Sequence, residues 1–233
     1  SLFIGIFGCC KPHNADVLLV ATSAEYPPFE YKSNGVTQGF DIDLVQLVSQ
    51  KIGKKIEIVE MPFGSILAAL ESGQVDAAIS TITITPARKA QFDFSTPYYF
   101  DEMAMVISKK APLQDVHHLS GKKIAVQLGT TMEIWLKNNA PSAEVTHMDN
   151  NYAAIESLKV GRVEWVLMDG AQAVIFAKKN PTLTFKPVVQ SQDGYGIAFP
   201  KGSVWLKSVN QALSALKKEG ALETLKHKWL EAH

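Results

Sequence analysis

The sequence predicts an α/β protein built from two similar lobes. Three observations carry this. Apolar runs of strand length alternate with segments whose apolar residues recur at helical spacing, twice over, as parallel α/β units require. The 233 residues are 46% hydrophobic and 20% charged, an ordinary globular composition, long enough for one large domain or two small ones. Third, Ala69-Leu-Glu-Ser-Gly-Gln-Val-Asp76 echoes Ser157-Leu-Lys-Val-Gly-Arg-Val-Glu164. Each reads as a helix end, a glycine past it and then a strand, a short sign of two halves built alike.

The elements follow in order. Residues 17–22 are a continuous β-rich apolar run, hence a buried strand. Pro27 and Pro28 make 23–31 a loop, placing Tyr26 and Phe29 just beyond a strand's C-terminal end, where α/β sheets bind ligands. Asn34-Gly35 signals a hairpin turn. Gly39-Phe-Asp41 caps a helix over 42–52 that Gly53 stops. A strand over 55–59, a helix over 65–72 ended by Gly73, and a strand over 75–79 complete the first unit. Residues 92–100 are aromatic and read as a loop. The second unit runs through strands at 103–108, 123–127, 145–147 and 163–168, with helices from about 131 to 138, over 151–160 and over 170–179. A strand at 195–199 and helices over 203–217 and to about 230 close the chain.

Between 75 and 88 the strand gives way to hydroxyls, Ser80, Thr81, Thr83 and Thr85. It then reaches Thr-Pro-Ala-Arg, with Thr85 as N-cap and Pro86 at the first helical position. Arg88 thereby falls in a first helical turn, where the macrodipole disfavours a cation. That broken preference beside four hydroxyls suggests a site, with the guanidinium fork clamping a carboxylate; a surface arginine after an ordinary strand is the alternative.

Other classes are disfavoured. Lys plus Arg and Asp plus Glu each total 23, so there is no basic surplus for nucleic acid. The two cysteines are Cys9 and Cys10 and the six histidines have no metal-ligand spacing, so neither a disulfide framework nor a metal site is expected. The first eight residues are apolar and too few to span a membrane. They read as the end of a signal peptide, and Ile6-Phe7-Gly8-Cys9 resembles a bacterial lipobox with Cys9 as the lipidated residue. Residues 1–15 are set aside from the fold.

With the motifs EYPPFEY (25–31), GFDIDLV (39–45), VDAAISTITITPAR (75–88), FSTPYY (94–99), LSGKKIAVQLGTT (119–131), GRVEWVLMD (161–169), GIAFPKG (196–202) and EGALETLKHKW (219–229) in this order, the chain resembles the extracytoplasmic solute-binding proteins of bacterial polar amino acid ABC transporters, from about residue 17 to 229. The arginine-binding branch is the most similar. The resemblance implies a type II periplasmic-binding-protein fold: two lobes, each a mixed, mainly parallel sheet flanked by helices, joined by two hinge strands near 100–103 and 192–196. Lobe 1 would comprise 16–101 plus 195–233, and lobe 2 would comprise 102–194.

The resemblance also implies roles. Arg88 holds the ligand carboxylate, with the backbone N–H groups of Thr130 and Thr131 from the other lobe. Asp169 holds the ammonium, helped by the Ser80 carbonyl and the Thr81 or Thr83 hydroxyl. Tyr26 and Phe63 wall the side chain, and Gln127 lines the second lobe's face. Structural duties compete: Phe63 as a hydrophobic staple, Asp169 and Thr131 as N-caps, Tyr26 as a loop aromatic, Thr83 as a partner for nearby backbone.

In relatives that bind basic amino acids an acid follows the first strand; here Ser23 stands there and Glu25 lies two residues on. Arginine is the favoured ligand, with glutamine, histidine or cystine as alternatives. The expected partner is a membrane permease and the expected state a monomer in the periplasm or at the cell surface. An enzyme on this fold, a cyclohexadienyl dehydratase or lytic transglycosylase, would need Glu25 as its acid or base. A receptor's sensing domain is a third class, disfavoured because the chain ends after its last helix.

Overall fold

The computed structural model describes residues 16–111 and 118–231. Cys9, the expected lipidation site, lies outside them. Two five-stranded sheets organise the chain. The first holds β1 (Val17–Thr22), β5 (Lys55–Glu60), β6 (Ala77–Ala78), β7 (Phe92–Phe94) and β13 (Ala198–Pro200) in the order β5-β1-β6-β13-β7. The second holds β8 (Glu102–Ser108), β9 (Lys123–Gln127), β10 (Glu144–Met148), β11 (Trp165–Asp169) and β12 (Leu183–Gln190) in the order β10-β9-β11-β8-β12. In the first, β5 lies outermost with β1 beside it; in the second, β10 lies outermost with β9 beside it. In each, the three leading strands are parallel and the fourth in spatial order, β13 or β8, runs against them. Those two are the strands the chain enters immediately after passing between lobes, so it arrives from the opposite end.

The repeated octet occupies equivalent places. Gly73 and Gly161 both have left-handed φ, +72° and +74°. Each follows a helix, α2 (Phe63–Glu71) or α5 (Asn151–Lys159). In both, the next residue's amide reaches five residues back, Gln74 to Ala69 O at 3.0 Å and Arg162 to Ser157 O at 2.9 Å. This is the bonding that ends a helix in a Schellman turn. The acid closing each octet then pins the central strand to its neighbour: Asp76 accepts from the Leu19 amide at 2.8 Å, and Glu164 from the Lys123 amide at 3.1 Å.

Several expectations are corrected. Residues 23–31 are not wholly loop: β2 (Glu25–Tyr26) pairs with β3 (Glu30–Ser33), which pairs with β4 (Val36–Gln38). Two-residue strands are below what a proline-flanked pattern reveals. The aromatic stretch after β7 forms the first crossing, 95–101, where Tyr98 and Tyr99 pack on Phe29, Phe40 and Tyr195 of the return crossing, 191–197. Strand β12 escaped the sequence reading because Pro187 interrupts it. It is an edge strand with a register shift at Pro187/Val189, where proline is tolerated. Asp41 does not cap α1 (Phe40–Ile52): the N-cap is Gly39 without a side-chain bond, and Asp41 is fully buried. The C-terminal helices are α7 (Leu206–Lys218) and α8 (Ala221–Lys226), with a π-helical turn over His227–Glu231. Their apolar residues Val209, Leu213, Leu216, Leu225 and Trp229 join the first lobe's core with Phe40, Leu44 and Phe199. Each such burial stabilises by roughly 1.5–3 kcal/mol. No helix among the described residues is long and apolar enough to cross a membrane.

Candidate functional site

The two sheets present their strand C-termini to each other, at the point where strand order reverses in each. There an enclosed cavity is lined by Tyr26, Phe63, Thr81, Thr83 and Arg88 from one lobe and by Gln127, Thr130, Thr131, Met132 and Asp169 from the other. It holds about 10 Å³, room for about one water, because the lobes touch. The Tyr26 hydroxyl donates to Asp169, and Gln172 donates to the Pro27 carbonyl. Arg88 Nη2 donates to the Gly129 carbonyl at 3.1 Å. A Cβ on Gly129 would stand 3.3 Å from Gly64 Cα, so glycine permits this approach. An amino acid enters only if these contacts part.

Arg88 is placed by α3 (Pro86–Gln91), whose N-cap Thr85 accepts from the Arg88 amide at 3.1 Å. The helix is only six residues long, so Arg88 stands in its last turn as well as its first. The dipole argument that singled it out therefore loses its force. What does distinguish Arg88 is its surroundings. Its Nη1 donates to Thr83 O at 2.9 Å. Among the described residues no carboxylate lies within ion-pair distance of it. Burial pushes its pKa down to about 10, opposed by the charge of Asp169. At neutral pH it stays charged, at a desolvation cost of about 3 kcal/mol.

Asp169, at the end of β11, is buried. Burial first, then the neighbouring Asp101, push it up to about 7; hydrogen bonds from Tyr26 and Tyr195 and the charge of Arg88 act against this. The cavity thus sets a desolvated cation opposite a desolvated acid. Gln127 donates to the Asp149 carbonyl at 3.2 Å, while its own buried Oε1 has no partner. Thr130 proves to be the N-cap of α4 (Thr131–Asn139), accepting from the Glu133 amide at 3.4 Å; Thr131 is its first residue rather than its cap. Thr81 has a left-handed φ of +48°.

Three expected residues are placed elsewhere. The Ser80 carbonyl already accepts from the Thr81 hydroxyl at 2.8 Å, and its own hydroxyl points backward to Glu30 at 2.8 Å. Ser23 and the exposed Glu25 do not line the enclosed cavity. They line a separate concavity of about 470 Å³ with Lys32, Glu60, Met61, Pro62 and Tyr152. Strand alternation turns Glu25 away from the face that buries its neighbour Tyr26.

Sequence reasoning missed what lies behind the site. Glu30 and Asp41 are both fully buried. Asp41 accepts from the Thr81 amide and the Tyr98 hydroxyl, both at 2.9 Å, and so holds Thr81 in its unusual backbone conformation. Glu30 Oε2 and Asp41 Oδ1 have no partner of their own, and one proton held between the two carboxyls would satisfy both. Burial holds Glu30 well above the usual carboxylate range and Asp41 at about 6. Met132, a cavity wall, carried no signal beyond an apolar helix position.

Residues 18–232 match the model of the bacterial extracellular solute-binding proteins, family 3. The chain belongs to this family. It is 33% identical over 227 residues to the L-cystine-binding protein TcyJ of Escherichia coli K12, covering 95% of this chain and 85% of the relative. It is 35% identical over 217 residues to the arginine-binding extracellular protein ArtP of Bacillus subtilis 168, covering 91% and 85%. A solved structure of an ancestral arginine-binding protein bound to arginine superimposes with a TM-score of 0.88 at 39% identity, covering 92% of this chain and 98% of that one. The two sheet-bearing lobes are those of the type II binding-protein fold.

Proposed function

We propose that this chain is the binding component of an amino acid ABC transporter, capturing a free amino acid between its lobes and presenting the closed form to a membrane permease. One observation carries the reading: the partly buried Arg88 guanidinium, without a carboxylate partner among the described residues, opposes the buried Asp169 carboxyl across a single cleft. A zwitterion supplies both missing charges. Its carboxylate takes the arginine fork, with the Thr130 and Thr131 amides at the α4 N-terminus adding to it. Its ammonium takes Asp169, with Thr81, Thr83 and the unpartnered Gln127 Oε1 as further acceptors. Tyr26 and Phe63 flank its side chain. Binding favours the closed arrangement by its differential affinity for it. The lobes in this reading are 16–101 with 195–233, and 102–194. The molecule works as a monomer and performs no chemistry on its ligand. It acts outside the cytoplasm, held to the membrane by a lipid on Cys9.

Arginine is the favoured ligand. Arginine-binding proteins stand among the similar chains and among the similar structures. Cystine is the second reading, favoured by the match to the cystine-binding relative over nearly the whole chain. Calorimetry with L-arginine, L-cystine, L-glutamine and L-histidine tests both. Saturable heat from arginine is expected. Heat from another amino acid alone removes the arginine assignment, and heat from none removes the amino acid reading.

A further inference from the structure

Asp169 stands at the N-cap position of α6 (Gly170–Lys179), yet its side chain makes no cap hydrogen bond. The cap comes from another part of the chain. Asp101, in the first crossing, accepts from the Ala171 amide at 3.2 Å through Oδ2 and from the Glu102 amide at 2.8 Å through Oδ1. A carboxylate there gains from unsatisfied amides and from the helix dipole. The same Oδ2 accepts from the Tyr195 hydroxyl at 3.2 Å. Tyr195 belongs to the return crossing and pairs through its backbone with Tyr99 of the first, its amide donating to the Tyr99 carbonyl at 2.8 Å. Its single hydroxyl proton goes to Asp101, and Asp169 lies close enough to the same hydroxyl to compete for it. Gly170 makes room: a Cβ there would stand 2.8 Å from Glu102 Cγ and 3.0 Å from Asp101 Oδ1.

We propose that Asp101 is a positioning residue for the ammonium site: by capping α6 in place of Asp169, and by sharing Tyr195 with it, Asp101 leaves Asp169 free to face the cleft and ties its orientation to both inter-lobe crossings. The inference rests on the reading of Asp169 as the ammonium acceptor. It explains why two acids are buried side by side here, an arrangement that otherwise costs stability. The groups facing Asp169 are Tyr26 on β2, Tyr195 and Asp101 on the two crossings, and Arg88 on α3, with Glu30 on β3 more remote.

The test is carbon-detected NMR titration of the Asp169 carboxyl in the full chain, from about pH 5 to about pH 9, the range that brackets its shifted midpoint. Wild type, Asp101→Asn and Tyr195→Phe are compared. Asp101→Asn removes a like charge and lowers the midpoint. Tyr195→Phe removes a donor to the carboxylate and raises it. A residue that merely supported the fold would not move the midpoint in opposite directions. Calorimetry with L-arginine at about pH 8 is expected to show affinity about tenfold weaker for Asp101→Asn, the size of one contact coupling. An Asp169 midpoint unmoved in both variants overturns the proposal, whatever binds. Opposite shifts without binding of any amino acid leave the Asp101 role standing and remove the ligand reading. If Asp101→Asn fails to fold, the Tyr195→Phe titration decides alone: a raised midpoint supports the link and an unchanged one overturns it.

Discussion

Replacing Arg88 by lysine keeps the charge and removes the fork; replacing it by methionine removes both. In the structure the two terminal nitrogens donate in different directions, to Thr83 O at 2.9 Å and to Gly129 O at 3.1 Å. A ligand carboxylate in the cleft would draw on both. A hydrogen bond to a charged group contributes roughly 1.5–3 kcal/mol. Lysine, a point donor, forfeits about one of the two and should weaken L-arginine about 10- to 100-fold. Methionine forfeits both and leaves a buried carboxylate unpaired, a loss of about 3–6 kcal/mol or about 10²- to 10⁴-fold. The fold itself should tolerate either change. Charging Arg88 in its partly buried place costs at most about 3 kcal/mol, which offsets much of what the methionine variant loses with its two bonds. The melting temperature without ligand should therefore move by no more than about 4 °C. Calorimetry with L-arginine and a thermal scan of each variant measure both quantities. The clamp is refuted if the methionine variant binds within about threefold of wild type, or if lysine and methionine weaken binding equally.

Stability should fall as pH rises across neutrality, the reverse of the usual acid behaviour. Glu30, Asp41, Asp101 and Asp169 are all raised by burial. Their contribution is complete below the unfolded value near 4 and is lost as pH passes the folded values, about 6 for Asp41 and about 7 for Asp169. For Asp41 alone this is at most about 3 kcal/mol. A melting temperature that climbs between about pH 5 and about pH 7.5 in scanning calorimetry would contradict the assignment. Glu30→Gln supplies a permanent donor to Asp41, so it should hold stability near pH 5 and raise it near pH 8, as denaturant titration would show; a loss at both would mean that no proton is shared. Gly39→Ala should cost more than about 3 kcal/mol, since a Cβ at φ +135° would meet Phe29 O at 2.1 Å; a soluble variant with an unchanged midpoint in urea would refute it. Thr130→Ala should lower stability by about 1 kcal/mol through loss of the α4 cap. Its effect on ligand affinity should be small, because the cap uses the hydroxyl and the site uses the backbone.

Local chemistry was legible wherever one residue's neighbours in the chain settle its conformation. Thr85-Pro86 starts a helix by itself, Gly73 and Gly161 end two helices in the same way, and the octets they close proved to hold matching strands in matching sheets. The polar side chains at the ends of β6 and β11 could be read as a cleft because parallel strands deliver their C-termini to one edge. Strand β12 was not legible, since an edge strand carrying Pro187 has no alternation to display. The direction of Glu25 was not legible, since it depends on pairing with Tyr31 across a two-residue strand, which no periodicity records.

By itself the sequence determined the two α/β units, the order of their elements and the presence of Arg88 in a short helix after a strand and of Asp169 at a strand end, because these follow from turns, caps and hydrophobic period within a few residues. Only the tertiary structure decided which charges are buried, and toward what. The Glu30–Asp41 pair joins residues eleven apart in sequence to a threonine forty further on, and Asp101 takes the helix cap that sequence position assigns to Asp169. Desolvation and close approach of distant segments set those roles, and neither is a property of any local stretch of chain.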